Sequence, residues 1–156
     1  MSQNFMDIAI EEAMSGITQK HGGPFGSVVV SAKGEIIGKG HNMVLVNFDP
    51  TAHGEVMALR DACKNVSLHN LKGCVLYTTC YPCPMCLSAC LWAGIDKIYY
   101  GCTSKEADAI GFNDDNFYAV LESEEKRAEI TALDEHYKDC QELFKVYDEQ
   151  IGGERY

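Results

Sequence analysis

Positive charge is scarce in this 156-residue chain: 13 Lys and Arg face 23 Asp and Glu, for a net charge of −10. A protein that grips nucleic acid through its phosphates needs a basic face, and surplus acid repels that polymer. No nucleic-acid partner is therefore expected, and a small neutral substrate suits the balance. Long apolar runs are missing too. Stretches such as Val28–Val30 fall far short of the ~20 residues that span a bilayer, so no membrane partner is expected. The opening segment "MSQNFMDIAIEEAM" has no basic cluster of the kind that begins a secretory signal, and a cytoplasmic setting is expected. Proline is sparse, with four in all, yet two of them, Pro82 and Pro84, bracket a single cysteine.

What the chain has in quantity is cysteine, eight in all. Without a secretory signal, clustered cysteines favour metal binding or catalysis over disulfides. Cys80, Cys83, Cys86 and Cys90 fall within eleven residues. As bare spacing this is C-x2-C-x2-C-x3-C, a run that holds iron–sulfur clusters. It also contains a Cys-x-x-Cys that suits a redox pair or half a zinc site.

Hydrophobic content of 46% and charged content of 23% are those of a globular protein, and the length suits one domain spanning 1–156. Phe5, Ile8, Met14 and Ile17 recur near one face of a helix over about 5–17. "GSVVVS" and "GEIIGKG", separated by "AKG", read as a hairpin. A helix is expected from about Ala52 to Lys64, a buried strand at "CVLYTT", a helix over Pro84–Trp92 and a strand at "KIYYG". Further on, Asp115–Leu121 reads as helix and "AEITAL" as a short strand. Tyr137, Cys140, Phe144 and Tyr147 carry a last helical stripe within a C-terminal helix and tail, 134–156. Strands alternating with helices predict a three-layer α/β/α domain.

Pro84 fits the first position of a helix, where its missing N–H is harmless. Cys83 is then the N-cap and Cys86 the third helical residue, so their side chains converge over the first turn. Two sulfurs there can share one ion, and the helix dipole favours their thiolates. Cys90 lies seven residues beyond Cys83, about 10 Å along the axis, and Cys80 about 10 Å back along an extended strand. Both read as packing, as do Cys63, Cys74, Cys102 and Cys140. The upstream "DPTAHGEV" offers His53 as a third ligand in the first turn of a helix capped by Thr51, with Glu55 beside it. Three protein ligands leave a fourth zinc position open, which is the catalytic pattern.

His53-Gly54-Glu55 followed by Pro82-Cys83-Pro84-Met85-Cys86 matches the H-x-E…P-C-x-x-C signature of zinc-dependent deaminases. With "GGPFGSVVV", "GHN", "DPTAHGE", "LYTTCYPCPMC", "GFNDDNFY" and the terminal "ERY", the chain resembles the bacterial guanine deaminase branch of the cytidine deaminase-like superfamily. "HGE" and "GHNM" are also similar to fungal cytosine deaminases. The resemblance implies a cytidine deaminase-like fold with a central mixed sheet of about five strands. It implies one Zn2+ per chain held by His53, Cys83 and Cys86, and hydrolytic deamination of a free nucleobase, guanine to xanthine and ammonia. Cytosine, isocytosine or aminotriazines remain alternatives, as do tRNA adenosine and a purely structural zinc or iron–sulfur site.

Zinc with two thiolates and a neutral imidazole has a formal charge near zero, so a base is needed beside it. Glu55 is placed to take a proton from water and deliver it to the ring and the leaving amine. The resemblance makes Asn42 a partner of the base and Asp114 a binder of an amino group or a proton shuttle. Backbone amides around Gly54 and Cys83 can meet a ring carbonyl or developing charge. Phe25, Phe48 and Trp92 are candidate walls around a flat ring. The resemblance further implies a homodimer in which the C-terminal segment, ending in Tyr156, is exchanged between subunits to cover the site.

Overall fold

The hairpin forms as its sequence predicts. Strands β1 (Gly26–Val30) and β2 (Ile36–His41) pair antiparallel, and Gly34 sits at φ +80° in the turn between them. β1 pairs antiparallel on its other side with β3 (Val75–Cys80), and β3 pairs parallel with β4 (Lys97–Cys102). The order is β2-β1-β3-β4, a mixed sheet with four strands among the described residues. The structure, a computed structural model, describes residues 4–150, 155 and 156. The chain divides into two compact units, Met1–Phe117 and Tyr118–Tyr156.

Alternate residues of the strands face opposite layers. Val28 and Val30 meet Ala9 of α1 (Phe5–Thr18). Val29 and Leu76 face Ala58, Leu59 and Ala62 of α3 (Gly54–Val66), with Cys90 and Ala93 of α4 (Pro84–Ala93). Helices therefore cover both faces of the sheet, as the α/β/α expectation requires. The crossover from β3 through α4 to β4 joins two parallel strands, so the start of α4 follows the carboxyl end of the interior strand β3.

The buried side of α1 differs from the expected stripe. Ala9, Ala13 and Gly16 are buried, whereas Met14 and Ile17 are 57% and 44% exposed. The helix lies so close to β1 that a Cβ on Gly26 would fall 2.2 Å from the carbonyl oxygen of Ala9. Small residues permit that approach, and large ones are turned outward. α3 also begins later than expected. His53, not Thr51, is its N-cap, because Thr51 spends its amide and hydroxyl on Asp49 Oδ1, at 2.8 and 2.7 Å.

The short helix α2 (Val44–Asn47) lies between β2 and α3, and α5 (Ser104–Ala109) follows β4. α5 starts with a capping box formed by Thr103 and Glu106. α6 (Asp115–Glu122) straddles the boundary between the units. In the second unit the strand expected at "AEITAL" is absent. α7 (Glu124–Ile130), capped by Ser123, occupies its first part, since E-E-K-R-A-E is a run of helix formers behind an N-cap. α8 (Tyr137–Gln150) is the expected last helix. No helix among the described residues is long and apolar enough to cross a membrane. Cys74 and Cys90 are buried as expected of packing residues, but Cys102 and Cys140 are exposed.

Candidate active site

Two helix N-termini converge here. His53 caps α3 and Cys83 caps α4, both with extended backbone, and neither side chain bonds the first turn of its own helix. The imidazole and the thiol turn toward each other instead. His53 Nδ1 lies 3.5 Å from Cys83 Sγ and 3.5 Å from Cys86 Sγ. A tetrahedral ion with metal–nitrogen near ~2.0 Å and metal–sulfur near ~2.3 Å requires a nitrogen–sulfur separation of about 3.6 Å. The donor set therefore fits zinc without rearrangement. It is the one cluster of three or more His, Cys, Asp or Glu among the described residues with donor atoms close enough to share an ion. Cys80 and Cys90 stand outside it.

The electrostatics match. The Cys83 thiol is held far below its ordinary range by the hydrogen bond from Cys86 and, after burial opposes it, by His53. The Cys86 thiol is pushed up by its hydrogen bond to that neighbour and by burial. The contact between the two sulfurs thus drives their thiols in opposite directions. His53 is raised first by its bond to Cys83. Burial pushes the Cys80 thiol up to about 11 and that of Cys90 up to about 12, so both remain protonated.

Glu55, in the first turn of α3, is buried, and that burial raises its carboxyl above the ordinary Glu range. It accepts a hydrogen bond from Thr78 at 3.2 Å. Glu55, His53 and Cys83 open onto a cavity of about 620 Å³ that Asn42, Asp114 and Phe25 also line, within the ~300–1,000 Å³ of small-molecule sites. Asn42 is buried, and its Oδ1 accepts from the Val44 amide at 3.1 Å, which leaves Nδ2 as its donor. Asp114 Oδ1 is buried with no hydrogen-bond partner among the described residues. Burial raises its carboxyl, and negative charge at Cys83 adds to the rise.

Not all predicted residues reach the cavity. Phe48 is 93% exposed, at the left-handed end of α2, and Trp92 is 69% exposed near the end of α4; neither lines it. The aromatic wall consists of Phe25 with Phe112, edge to face at 4.9 Å, together with Phe117 and Tyr81. Gly54 is buried at the first position of α3, too close to the Phe25 carbonyl for a larger side chain to sit easily. Tyr156 is exposed and belongs to the second unit. Five contributors escaped the sequence reading: Phe112, Phe117, Tyr81 and the hydroxyls of Ser27 and Thr78. Alternation along β3 could have flagged Thr78, which points to the same face as Leu76.

Residues 1–102 match the model of the cytidine and deoxycytidylate deaminase zinc-binding region. The chain belongs to this family. It is similar to guanine deaminase of Bacillus subtilis, 42% identical over 120 residues, which is 77% of this chain and 76% of that protein. The crystal structure of guanine deaminase from Bacillus subtilis superposes with a TM-score of 0.89 at 35% identity, covering 97% of this chain and 96% of the other. The tRNA-specific adenosine deaminase of Aquifex aeolicus is 38% identical over 102 residues, 65% of this chain and 66% of that protein. As a member of this family the chain is a zinc-binding deaminase domain, and His53, Cys83 and Cys86 are where such an ion fits.

Proposed function

We propose that the protein hydrolyses the exocyclic amine of a free nucleobase, converting guanine to xanthine and ammonia. The observation that carries this reading is Asp114 Oδ1, a buried acceptor without a partner among the described residues, in the same cavity as Glu55, His53 and Cys83. Buried polar atoms are almost always paired, so a ligand bearing N–H groups suits this one. Asn42 Nδ2 supplies the complementary donor for a ring oxygen or nitrogen. The greater similarity to a guanine deaminase than to tRNA-specific enzymes supports a base rather than RNA, as does the net charge of −10.

His53, Cys83 and Cys86 hold the zinc, which when bound supplies the Lewis acidity that lets water act near neutral pH. The rest is work for the chain. Glu55 accepts a proton from the attacking water as the carbon–oxygen bond forms. It passes that proton to the ring nitrogen, then takes the proton of the new hydroxyl and gives it to the amine, whose carbon–nitrogen bond breaks to release ammonia and leave a carbonyl. Asn42 and Asp114 orient the base, and Phe25 and Phe112 wall off its flat face. The amides at the start of α3 and α4, around Gly54 and Cys83, face developing negative charge.

The protein acts in the cytoplasm in purine breakdown, as a homodimer whose segment 134–156, ending in Tyr156, covers a site. In support, the outer edge of β4 has no strand partner among the described residues, and Leu91, Trp92, Tyr99 and Tyr100 are exposed near it in sequence.

Ammonia release from guanine, adenine, cytosine, isocytosine, an aminotriazine and the nucleosides, joined to metal analysis, tests the reading. Guanine turnover with one zinc per chain is expected. Turnover confined to another base would reassign the substrate. Bound zinc with no ammonia from any of them would make the site structural.

A further inference from the structure

The layer between the sheet and α3 is hydrocarbon except at one end. Val29 and Leu76 pair across β1 and β3 and pack on Ala58 and Leu59. The next cross-strand pair on that face is Ser27 and Thr78, at 0% and 1% exposure. Ser27 Oγ donates to Thr78 Oγ1 at 2.9 Å, and Thr78 Oγ1 donates to Glu55 Oε1 at 3.2 Å. Buried hydroxyls are costly unless paired. Here the pairing forms a chain that ends on the one carboxylate of the site that is itself buried.

The direction of this chain is fixed by chemistry. Glu55 Oε1 is the acceptor, so Thr78 Oγ1 donates its hydrogen bond to Glu55 and accepts that of Ser27 on a lone pair. Cys86 is another polar neighbour of Glu55, but its sulfur belongs to the group that fits zinc and would have no proton to offer with an ion bound. Thr78 remains. An oxygen that accepts such a bond is the less basic of the two, and a carboxylate tethered at one oxygen does not rotate freely.

We propose that Thr78, backed by Ser27, is a positioning residue that anchors Glu55 Oε1 and so makes Oε2 the oxygen that takes and delivers the proton. The assignment rests on the deaminase reading above. Water loses a proton to Oε2, which passes it to the ring nitrogen; Oε2 then takes the proton of the hydroxyl so formed and gives it to the amine. The Thr78 bond to Oε1 persists in both states, and its own proton is never transferred.

The test compares zinc-loaded wild type, Thr78→Val, Thr78→Ser and Ser27→Ala in single-turnover rate and KM for guanine, zinc content, and the crystallographic position of the Glu55 carboxylate. Val is isosteric and lacks only the hydroxyl. Thr78→Val is expected to lower the rate by tenfold to about a hundredfold, the scale of a ~1 Å misplacement, with KM within about twofold, one zinc per chain and a displaced carboxylate. Thr78→Ser should recover most of the rate, and Ser27→Ala should fall between. A Thr78→Val protein with wild-type rate and an unmoved carboxylate overturns the assignment. So does a loss of rate that follows loss of zinc, or a Thr78→Ser variant as slow as Val. If wild type releases no ammonia, the deaminase reading fails, and the carboxylate position in Thr78→Val still decides whether Thr78 holds Glu55.

Discussion

Gly22 lies against Asn42: a Cβ added at position 22 would fall 2.1 Å from Asn42 Oδ1 and 2.9 Å from its carbonyl oxygen. The carboxamide cannot swing aside without losing its bond from the Val44 amide. Gly22→Ala is therefore expected to displace Asn42 and raise KM for guanine about tenfold, the scale of one polar contact of ~1–1.5 kcal/mol, with a smaller change in kcat and an unchanged circular dichroism spectrum. An unchanged KM would show that Asn42 does not hold the base.

The donor geometry makes a sharp distinction among the cysteines. His53→Ala, Cys83→Ala and Cys86→Ala should each purify with little zinc. Cys80→Ser and Cys90→Ala should keep one ion per chain, because burial leaves those two thiols protonated. Removing zinc with a chelator should lower the melting temperature by roughly 10 °C, given ~4 kcal/mol of linkage for a tightly held ion and a few degrees per kcal/mol at this size. Loss of zinc in Cys80→Ser would revive a larger sulfur cluster.

Much of this site is legible in the sequence because it is local. Pro84 sets the start of α4, and the start of α4 makes Cys83 and Cys86 neighbours, with no knowledge of the rest of the fold. His53 and Glu55 sit on one turn. The aromatic wall was not legible. Phe112, in the segment after α5, and Phe117, in α6, reach the cavity through the tertiary fold, and Phe48 and Trp92, equally aromatic, are exposed. The α1 stripe misled for a related reason: apolar periodicity marks residues that could be buried, while the close approach at Gly26 selected the small ones. The strand expected at "AEITAL" yielded to helix formers behind Ser123, where local propensity outweighs a β-branched pair.

Glu55 links activity and stability with opposite signs. Its folded pKa is raised, so its contribution to stability is fully present below the unfolded pKa and is lost as pH rises through the folded value. Above the unfolded pKa, burying this ionisable group costs stability. Glu55→Gln removes the ionisable group while keeping the shape and the Thr78 bond. We expect ammonia release to fall by about 10²–10⁴-fold, with zinc retained and a melting temperature a few degrees above wild type at pH 7. Near-normal turnover would eliminate Glu55 as the proton carrier.

The capping box of α5 has a pH signature of the other sign. The Thr103 amide and hydroxyl both donate to Glu106 Oε2, at 2.8 and 3.0 Å, and these bonds lower its carboxyl below the ordinary 4.5. A lowered folded pKa means stability that is present above the unfolded value and disappears as pH falls through the folded one. Urea midpoints of wild type and Glu106→Gln should differ at pH 7 and converge as pH falls through the lowered folded pKa. A constant difference across that range would mean that the charge of Glu106 has no part in the cap.

Asn4, Thr103 and Ser123 each close the first turn of a helix with a side-chain oxygen. His53 and Cys83 hold the same position on α3 and α4 and do not. The protein leaves two of its central helices unfinished at the ends that open onto the cavity. A serine at either position would make a better helix, by about 0.5–2 kcal/mol if it bonded the free amides as caps commonly do, and a protein without its ion. Selection for stability alone would erase this site one cap at a time.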